Sequence, residues 1–218
     1  MDVYTYYTPS HAVFFQRYLC PSASRRFDLL PLHGIDRCGA EAHFAKSGWA
    51  ETCIEKMQLF REAIEDRADE VVVFSDPDVI FAHVTPDDIL RELGAAEIAG
   101  QRAMKGSDTI CAGFFALRVS GRTLAWLDRV LELAPECDNV HDQEALNRLR
   151  HQVNYKTLPN RYWHWQLETG MPWNGAMSKL RRPPKDVAVV HATWVNGRSR
   201  KLRLMDCMWQ DCQPVQID

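Results

Sequence analysis

The sequence lacks any long hydrophobic run. Across 218 residues no apolar stretch approaches the roughly 18 that a membrane span needs, so no integral membrane segment is expected. The opening Met1-Asp2-Val3-Tyr4-Thr5 has neither the basic nor the apolar region of a secretion signal, and no signal peptide is expected. Paired cysteine motifs are also missing. The seven cysteines (Cys20, Cys38, Cys53, Cys111, Cys137, Cys207, Cys212) include no C-x-x-C pair, and the Cys207 to Cys212 spacing suits neither a zinc knuckle nor a redox dithiol. An odd number of scattered thiols points to reduced core cysteines and a cytoplasmic protein. Internal repeats, low-complexity tracts and Gly/Ser linkers are absent too, so residues 1–218 are expected to form one domain, long enough to close a sizeable core.

What is present is ordinary in amount and uneven in place. With 46% hydrophobic and 25% charged residues the composition excludes a disordered chain. The net charge is −3, but the segment from Lys179 to Arg203 carries eight basic residues against the single acid Asp186. That segment is about +7, leaving the rest near −10. A local basic end on an acidic chain suggests an anionic ligand held at one place, not a nucleic-acid surface spread over a face, and no nucleic-acid partner is expected.

Strand-like and helix-like patterns alternate along the chain. Val3 to Tyr7 and Phe27 to Leu32 read as strands, with helical spacing between them at residues 11 to 20. Trp49 to Asp66 reads as the longest helix, with Ile54, Met57, Leu59, Phe60 and Ile64 as its apolar stripe. Glu70 to Phe74 is a β-branched run that fits a buried parallel strand. Thr85-Pro86-Asp87-Asp88 opens a short helix with a capping Thr, a first-turn Pro and acids at its positive end. A strand near residues 110 to 118, helices over Ser120 to Ala134 and His141 to Arg150, and a last buried strand at Val187 to Val190 complete the pattern. The expected fold is α/β, on a largely parallel central sheet flanked by helices.

The most informative stretch is Val71-Val72-Val73-Phe74-Ser75-Asp76-Pro77-Asp78. Ligands of open α/β sheets sit beyond the carboxyl ends of strands, where these two acids fall. Pro77 keeps Asp76 extended, and residues i and i+2 of an extended chain point to one side. Two convergent carboxylates repel unless a cation lies between them, and such hard oxygen donors suit Mn²⁺ or Mg²⁺. A charged turn after a buried strand is the plainer alternative. A haloacid-dehalogenase-like phosphatase would also read Asp76-Pro77-Asp78-Val79 as its D-x-D-x-[TV], but it places that motif on its opening strand and wants a later acidic pair.

The whole pattern resembles the GT-A-type, nucleotide-diphospho-sugar transferase family of glycosyltransferases, whose fold is Rossmann-like. The run VVVFSDPDVIF looks like its DxD strand, with Lys56 twenty residues earlier on the preceding helix. Cys111-Ala112-Gly113-Phe114-Phe115-Ala116-Leu117-Arg118 is similar to its GFF strand, although many relatives carry Asn before that glycine. Asp142-Gln143-Glu144-Ala145-Leu146-Asn147 resembles its DQ helix, and His191-Ala192-Thr193-Trp194 with Gly197 and Lys201 its closing segment. The resemblance implies a nucleotide-diphosphate sugar donor, a glycan or other hydroxyl acceptor, and a divalent metal held by Asp76, Asp78 and His191.

It further implies that Lys201 and Gly197 meet the phosphates, with Arg198 and Arg200 next in line, and that Lys56 supports the same site. Tyr7 and Thr8 at the end of the first strand, with Asp28 or His33 on the second, are the nucleoside candidates. Asp142 and Gln143 are the catalytic candidates, and relatives sharing the pair are retaining, so retention is expected. Tyr162 to Gly175, rich in aromatics, is either an acceptor loop that stacks on sugars or a set of tryptophans buried on the sheet. A related module that binds a nucleotide sugar without turnover is the remaining alternative.

Overall fold

The computed structural model describes residues 1–38, 48–137, 141–170, 173 and 180–212. The chain opens with β1 (Asp2–Tyr7) and a helical passage containing α1 (Ala12–Phe14) and α2 (Cys20–Ala23), then β2 (Asp28–His33). Next come α3 (Trp49–Ala63), β3 (Val71–Ser75), β4 (Val79–Phe81), α4 (Pro86–Leu93), β5 (Ile98–Arg102) and β6 (Ile110–Arg118). The remainder is α5 (Gly121–Leu133), α6 (His141–Leu149), β7 (Tyr155–Thr157), β8 (Tyr162–His164), α7 (Trp165–Thr169), β9 (Val189–His191) and α8 (Arg198–Cys212).

A six-stranded sheet in the order β2-β1-β3-β6-β5-β7 forms the centre. β1 pairs parallel with β2 and β3, and β5 parallel with β7, while β6 runs antiparallel to both its neighbours. The sheet is therefore mostly parallel, as expected, with the GFF strand as its reversed member. β3 is buried on both faces: Val72 and Phe74 join one cluster and Val73 the opposite one, the period-two division of a central strand. On the first face α3, α5 and α6 supply Met57, Phe60, Trp126, Leu127 and Leu146. Phe60, Phe74 and Phe115 pack with ring centroids 5.2 to 5.6 Å apart, so truncating Phe74 to Ala would cost about 3–5 kcal/mol.

The second face meets a smaller sheet, β4-β9-β8. This corrects the expected last strand of the central sheet. It begins at Val189, not Val187, and lies in the small sheet, antiparallel to β4 and parallel to β8. Behind it α8, which the patterning did not anticipate, packs Leu204, Met205 and Met208 against Phe14, Tyr18, Trp163 and Trp165. Helix ends follow local chemistry. Thr85 and Asp88 form a reciprocal capping box on α4, and Ser120 and Thr123 form one on α5.

Candidate functional site

The two sheets meet at the acidic pair. β3 leaves the central sheet after Ser75, β4 joins the small sheet at Val79, and Asp76-Pro77-Asp78 is the crossing. Pairing of Val79 with His191 then carries the imidazole to the same point, and Ala192 N–H donates to Asp78 O at 3.0 Å. From the other side, β6 outruns its neighbour: Ser75 pairs with Phe114, and beyond it Gly113 O accepts from Asp76 N–H at 2.7 Å. A glycine is required there, since a Cβ on Gly113 would strike Asp76 Oδ2 and lie 2.5 Å from His191 Cε1.

These elements wall a cleft of about 360 Å³ whose lining includes Asp76, Asp78, His191, Lys56, Asp142 and Lys201. Donor atoms of Asp76, Asp78 and His191 lie within 4.8 Å of one another. His191 Nε2 is 3.6 Å from Asp78 Oδ1 and 3.8 Å from Asp76 Oδ2. Two carboxylate oxygens and one imidazole nitrogen are a donor set that suits a divalent ion, and the side-chain-free notch at Gly113 leaves the group room to converge. The residues present therefore fit a metal.

Two ammonium groups flank the cluster. Lys201 Nζ lies 2.6 Å from Asp78 Oδ2, leaving Oδ1 toward His191. Lys56 Nζ bridges Asp142 Oδ2 at 2.6 Å and Asp76 Oδ1 at 3.3 Å. Burial alone would raise the Asp78 carboxyl, yet Lys201 and His191 outweigh it and hold it well below the usual carboxylate range. Burial would lower Lys56, but Asp142 and Asp76 more than reverse this and keep it firmly charged. Burial likewise opposes charge on His191, and its hydrogen bonds with Asp78 and Cys111 carry it up to about 10 in the metal-free chain.

The DQ helix divides its labour. Asp142 faces the cleft and Lys56, with its Oδ1 accepting from Gln143 N–H at 2.8 Å. Gln143 Oε1 accepts from Ala112 N–H at 3.3 Å, and Asn147 meets both backbone groups of Ile110, at 2.8 and 2.7 Å. Gln143 and Asn147 thus dock α6 on β6 and set the depth at which Asp142 projects.

Several expected residues fall elsewhere. Thr8 and Tyr7 line the cleft, Tyr7 stacked on Phe15, and His33 packs edge-on to Tyr7 without joining the lining. Asp28 sits at the far end of β2, beside the N-terminal amine at 3.3 Å, and is no part of the site. Gly197 is buried and is not among the residues lining the cleft, with its backbone in the left-handed region at φ 87°. Its carbonyl accepts from Lys201 N–H at the start of α8. The basic segment is likewise split: Arg181 pairs with Glu168, Arg182 with Asp211, and Lys201 points into the cleft. Tyr162, Trp163, Trp165 and Trp173 are buried in the core, which favours the second reading of the aromatic stretch; Met171, Pro172, Asn174, Gly175 and Lys179 lie outside the described residues.

Ser10, His11 and Asp36 also line the cleft and belong to no motif of the sequence, while Trp194 closes the His191 segment. Ser10 N–H and Oγ donate to Asp36, and His11 Nδ1 lies 3.0 Å from Ser10 Oγ. Trp194, in the left-handed region at φ 60°, donates from Nε1 to Ala103 O. Ser10 and His11 lie in one short turn of helix, and Asp36 and Trp194 outside any helix or strand, where no periodicity marks a wall.

The profile of the nucleotide-diphospho-sugar transferase family matches residues 22–205, most of the chain. The chain belongs to this family. The fold agrees with other transferases in three dimensions. The WbbM bifunctional glycosyltransferase superposes with a TM-score of 0.58 at 14% identity, over 97% of this chain and 51% of that one. GlyE, a glycosyltransferase of Streptococcus pneumoniae TIGR4, gives 0.58 at 16% identity, over 98% of this chain and 60% of that one. A glycosyltransferase involved in glycosylation of the major capsid of PBCV-1 gives 0.60 at 13%, over 94% of this chain and 98% of that one. The chain thus spans less than two thirds of the first two, and at these identities the likeness is one of fold. No curated protein matches by sequence. Family membership sets aside the phosphatase reading, and the acidic pair follows the third strand of the sheet in chain order, not the first. No helix among the described residues is long and apolar enough to cross a membrane.

Proposed function

We propose that the chain is a metal-dependent glycosyltransferase that moves a hexosyl or pentosyl group from a nucleotide-diphosphate sugar to a glycan or other hydroxyl acceptor, with retention of anomeric configuration. The observation that carries this reading is the convergence of Asp76, Asp78 and His191 beside the Lys201 ammonium in one cleft. Mn²⁺ or Mg²⁺ held by these residues would supply a Lewis acid that neutralises the diphosphate as it leaves. Lys201 adds a positive charge at the same place, while Tyr7 and Thr8 receive the nucleoside. Gly197 serves by starting the helix that aims Lys201. A cytoplasmic setting and a single domain over residues 1–218 complete the proposal; the seven cysteines form no disulfide with one another.

The retaining outcome rests on Asp142. Its Oδ2 is engaged by Lys56 and its Oδ1 by Gln143 N–H, so both oxygens are committed before an acceptor arrives. A carboxylate held this way acts as a fixed negative charge under an oxocarbenium-like sugar, not as the group that takes the acceptor's proton. Incubation with Mn²⁺ and a panel of nucleotide sugars should release free nucleotide. Proton NMR of the first product from an α-linked donor should show the α-anomer; an early β-anomer overturns retention. Metal-dependent nucleotide binding with no release from any donor would instead support a non-catalytic binding module.

A further inference from the structure

We infer that Gln101 is a positioning residue that fixes which nitrogen of His191 faces the acidic pair. This rests on the metal reading of Asp76, Asp78 and His191, and concerns a residue outside that cluster. Gln101 is fully buried on β5. Its Nε2 lies 3.2 Å from Tyr162 O and 3.2 Å from Trp163 O. Carbonyl oxygens only accept, so the amide nitrogen must face them, and Oε1 is turned to His191 Nδ1 at 2.8 Å. An amide oxygen also only accepts, so Nδ1 must carry a proton whether the imidazole is neutral or charged. Nε2 is then the nitrogen presented to Asp78 and Asp76, at 3.6 and 3.8 Å. The other polar neighbour of Nδ1, Cys111 Sγ at 4.0 Å, is a far weaker acceptor.

The backbone explains how a central-sheet residue reaches the small sheet. The β5–β6 ladder pairs Gly100 with Phe115 and next pairs Arg102 with Ile110, so Gln101 sits where β6 carries extra residues. Such irregularities re-aim side chains beside functional sites. Here the side chain leaves the ladder and ties β5 to the carbonyls of β8, and β8 pairs directly with β9 through His164 and His191. One carboxamide therefore locks two strands and one imidazole together.

Two variants separate positioning from simple packing. Gln101→Met and Gln101→Glu both lose the amide donors to Tyr162 and Trp163, but Glu keeps an acceptor for Nδ1–H. Mn²⁺ affinity, followed by electron paramagnetic resonance, should fall roughly 10- to 100-fold in Gln101→Met and stay at or above wild type in Gln101→Glu. In the metal-free chain, NMR should show a hydrogen-bonded Nδ1–H resonance of His191 in wild type and the Glu variant, and none in Met. Equal losses in both variants, or wild-type affinity in Met, would overturn the inference. If Met does not fold, a loss of about tenfold or more in Glu overturns it. Wild type that binds no Mn²⁺ but shows the Nδ1–H resonance defeats the metal reading and leaves the orienting contact standing; absence of that resonance in wild type defeats the contact itself.

Discussion

Adding one methyl group at Gly113 perturbs the site without touching its chemistry. The new Cβ would run into Asp76 Oδ2 and lie 2.5 Å from His191 Cε1 and 3.0 Å from Asp76 Cγ. Carbon atoms pack best about 3.5–4.0 Å apart, so the carboxylate and imidazole must together retreat by about 1 Å. A displacement of that size at a reacting centre costs on the order of 100-fold in rate. Stability should change far less. Crowding costs about 1–3 kcal/mol, offset by up to about 1 kcal/mol from the reduced freedom of the unfolded chain. A net loss near 1 kcal/mol lowers Tm by about 2–4 °C at this size. Gly113→Ala should therefore melt close to wild type, bind Mn²⁺ weakly, and turn over a nucleotide sugar about 100-fold more slowly. Wild-type metal affinity and turnover in the folded variant would refute the convergence of Asp76 and His191 as the working geometry.

Three further outcomes can be checked on the same material. Asp78→Asn should abolish turnover and Mn²⁺ binding, and His191→Ala should weaken binding less; unchanged affinity in Asp78→Asn removes the metal assignment. Lys201→Ala should weaken a nucleoside diphosphate much more than the bare nucleoside in calorimetry, and an equal loss would place Lys201 away from the phosphates. Because His191 in the metal-free chain holds its proton up to about pH 10, a metal must displace that proton. Mn²⁺ affinity should then rise about tenfold per pH unit from pH 7 to 9, with proton release visible as a buffer-dependent heat; a flat profile would contradict it.

Much of this was legible because a few segments carry strong local signals. The Val71 to Phe74 run is too short and too β-branched for a helix, and Thr85 with Asp88 announces a capped turn; both form where expected. Direction was not legible: β6 is buried along nearly its whole length, and a strand without alternation shows nothing of which way it runs. β4, β8 and β9 are three residues each, too short for any period, so nothing in the sequence shows that the strand ending at His191 leaves the central sheet. In α8 the many basic residues mask the apolar stripe of Leu204, Met205, Met208 and Cys212, whose spacing is helical and whose side chains are buried. Gln101 had no signal at all, since one buried amide between Gly100 and Arg102 looks like any strand residue.

The charges of the cleft explain why metal and donor should depend on each other. In the metal-free chain Asp76, Asp78 and Asp142 face Lys56, Lys201 and a protonated His191, so the cleft carries no net charge to draw an anion. Asp36 and Arg37, also on the wall, cancel. An anionic diphosphate approaching this cleft alone meets cations that are already paired with carboxylates, Lys201 with Asp78 at 2.6 Å among them. A divalent ion that displaces the His191 proton leaves one positive charge in excess and competes with Lys201 for Asp78, so the ammonium becomes free to meet a phosphate. A nucleoside diphosphate should accordingly bind weakly to the metal-free chain and about 100-fold or more tightly with saturating Mn²⁺, since one added attractive charge contact in a partly buried cleft is worth about 3 kcal/mol. Fluorescence or calorimetric titration with and without Mn²⁺ measures this directly. Affinity that ignores the metal would mean that the nucleotide reaches the cleft through Tyr7 and Thr8 alone, and that the acidic pair serves some other end.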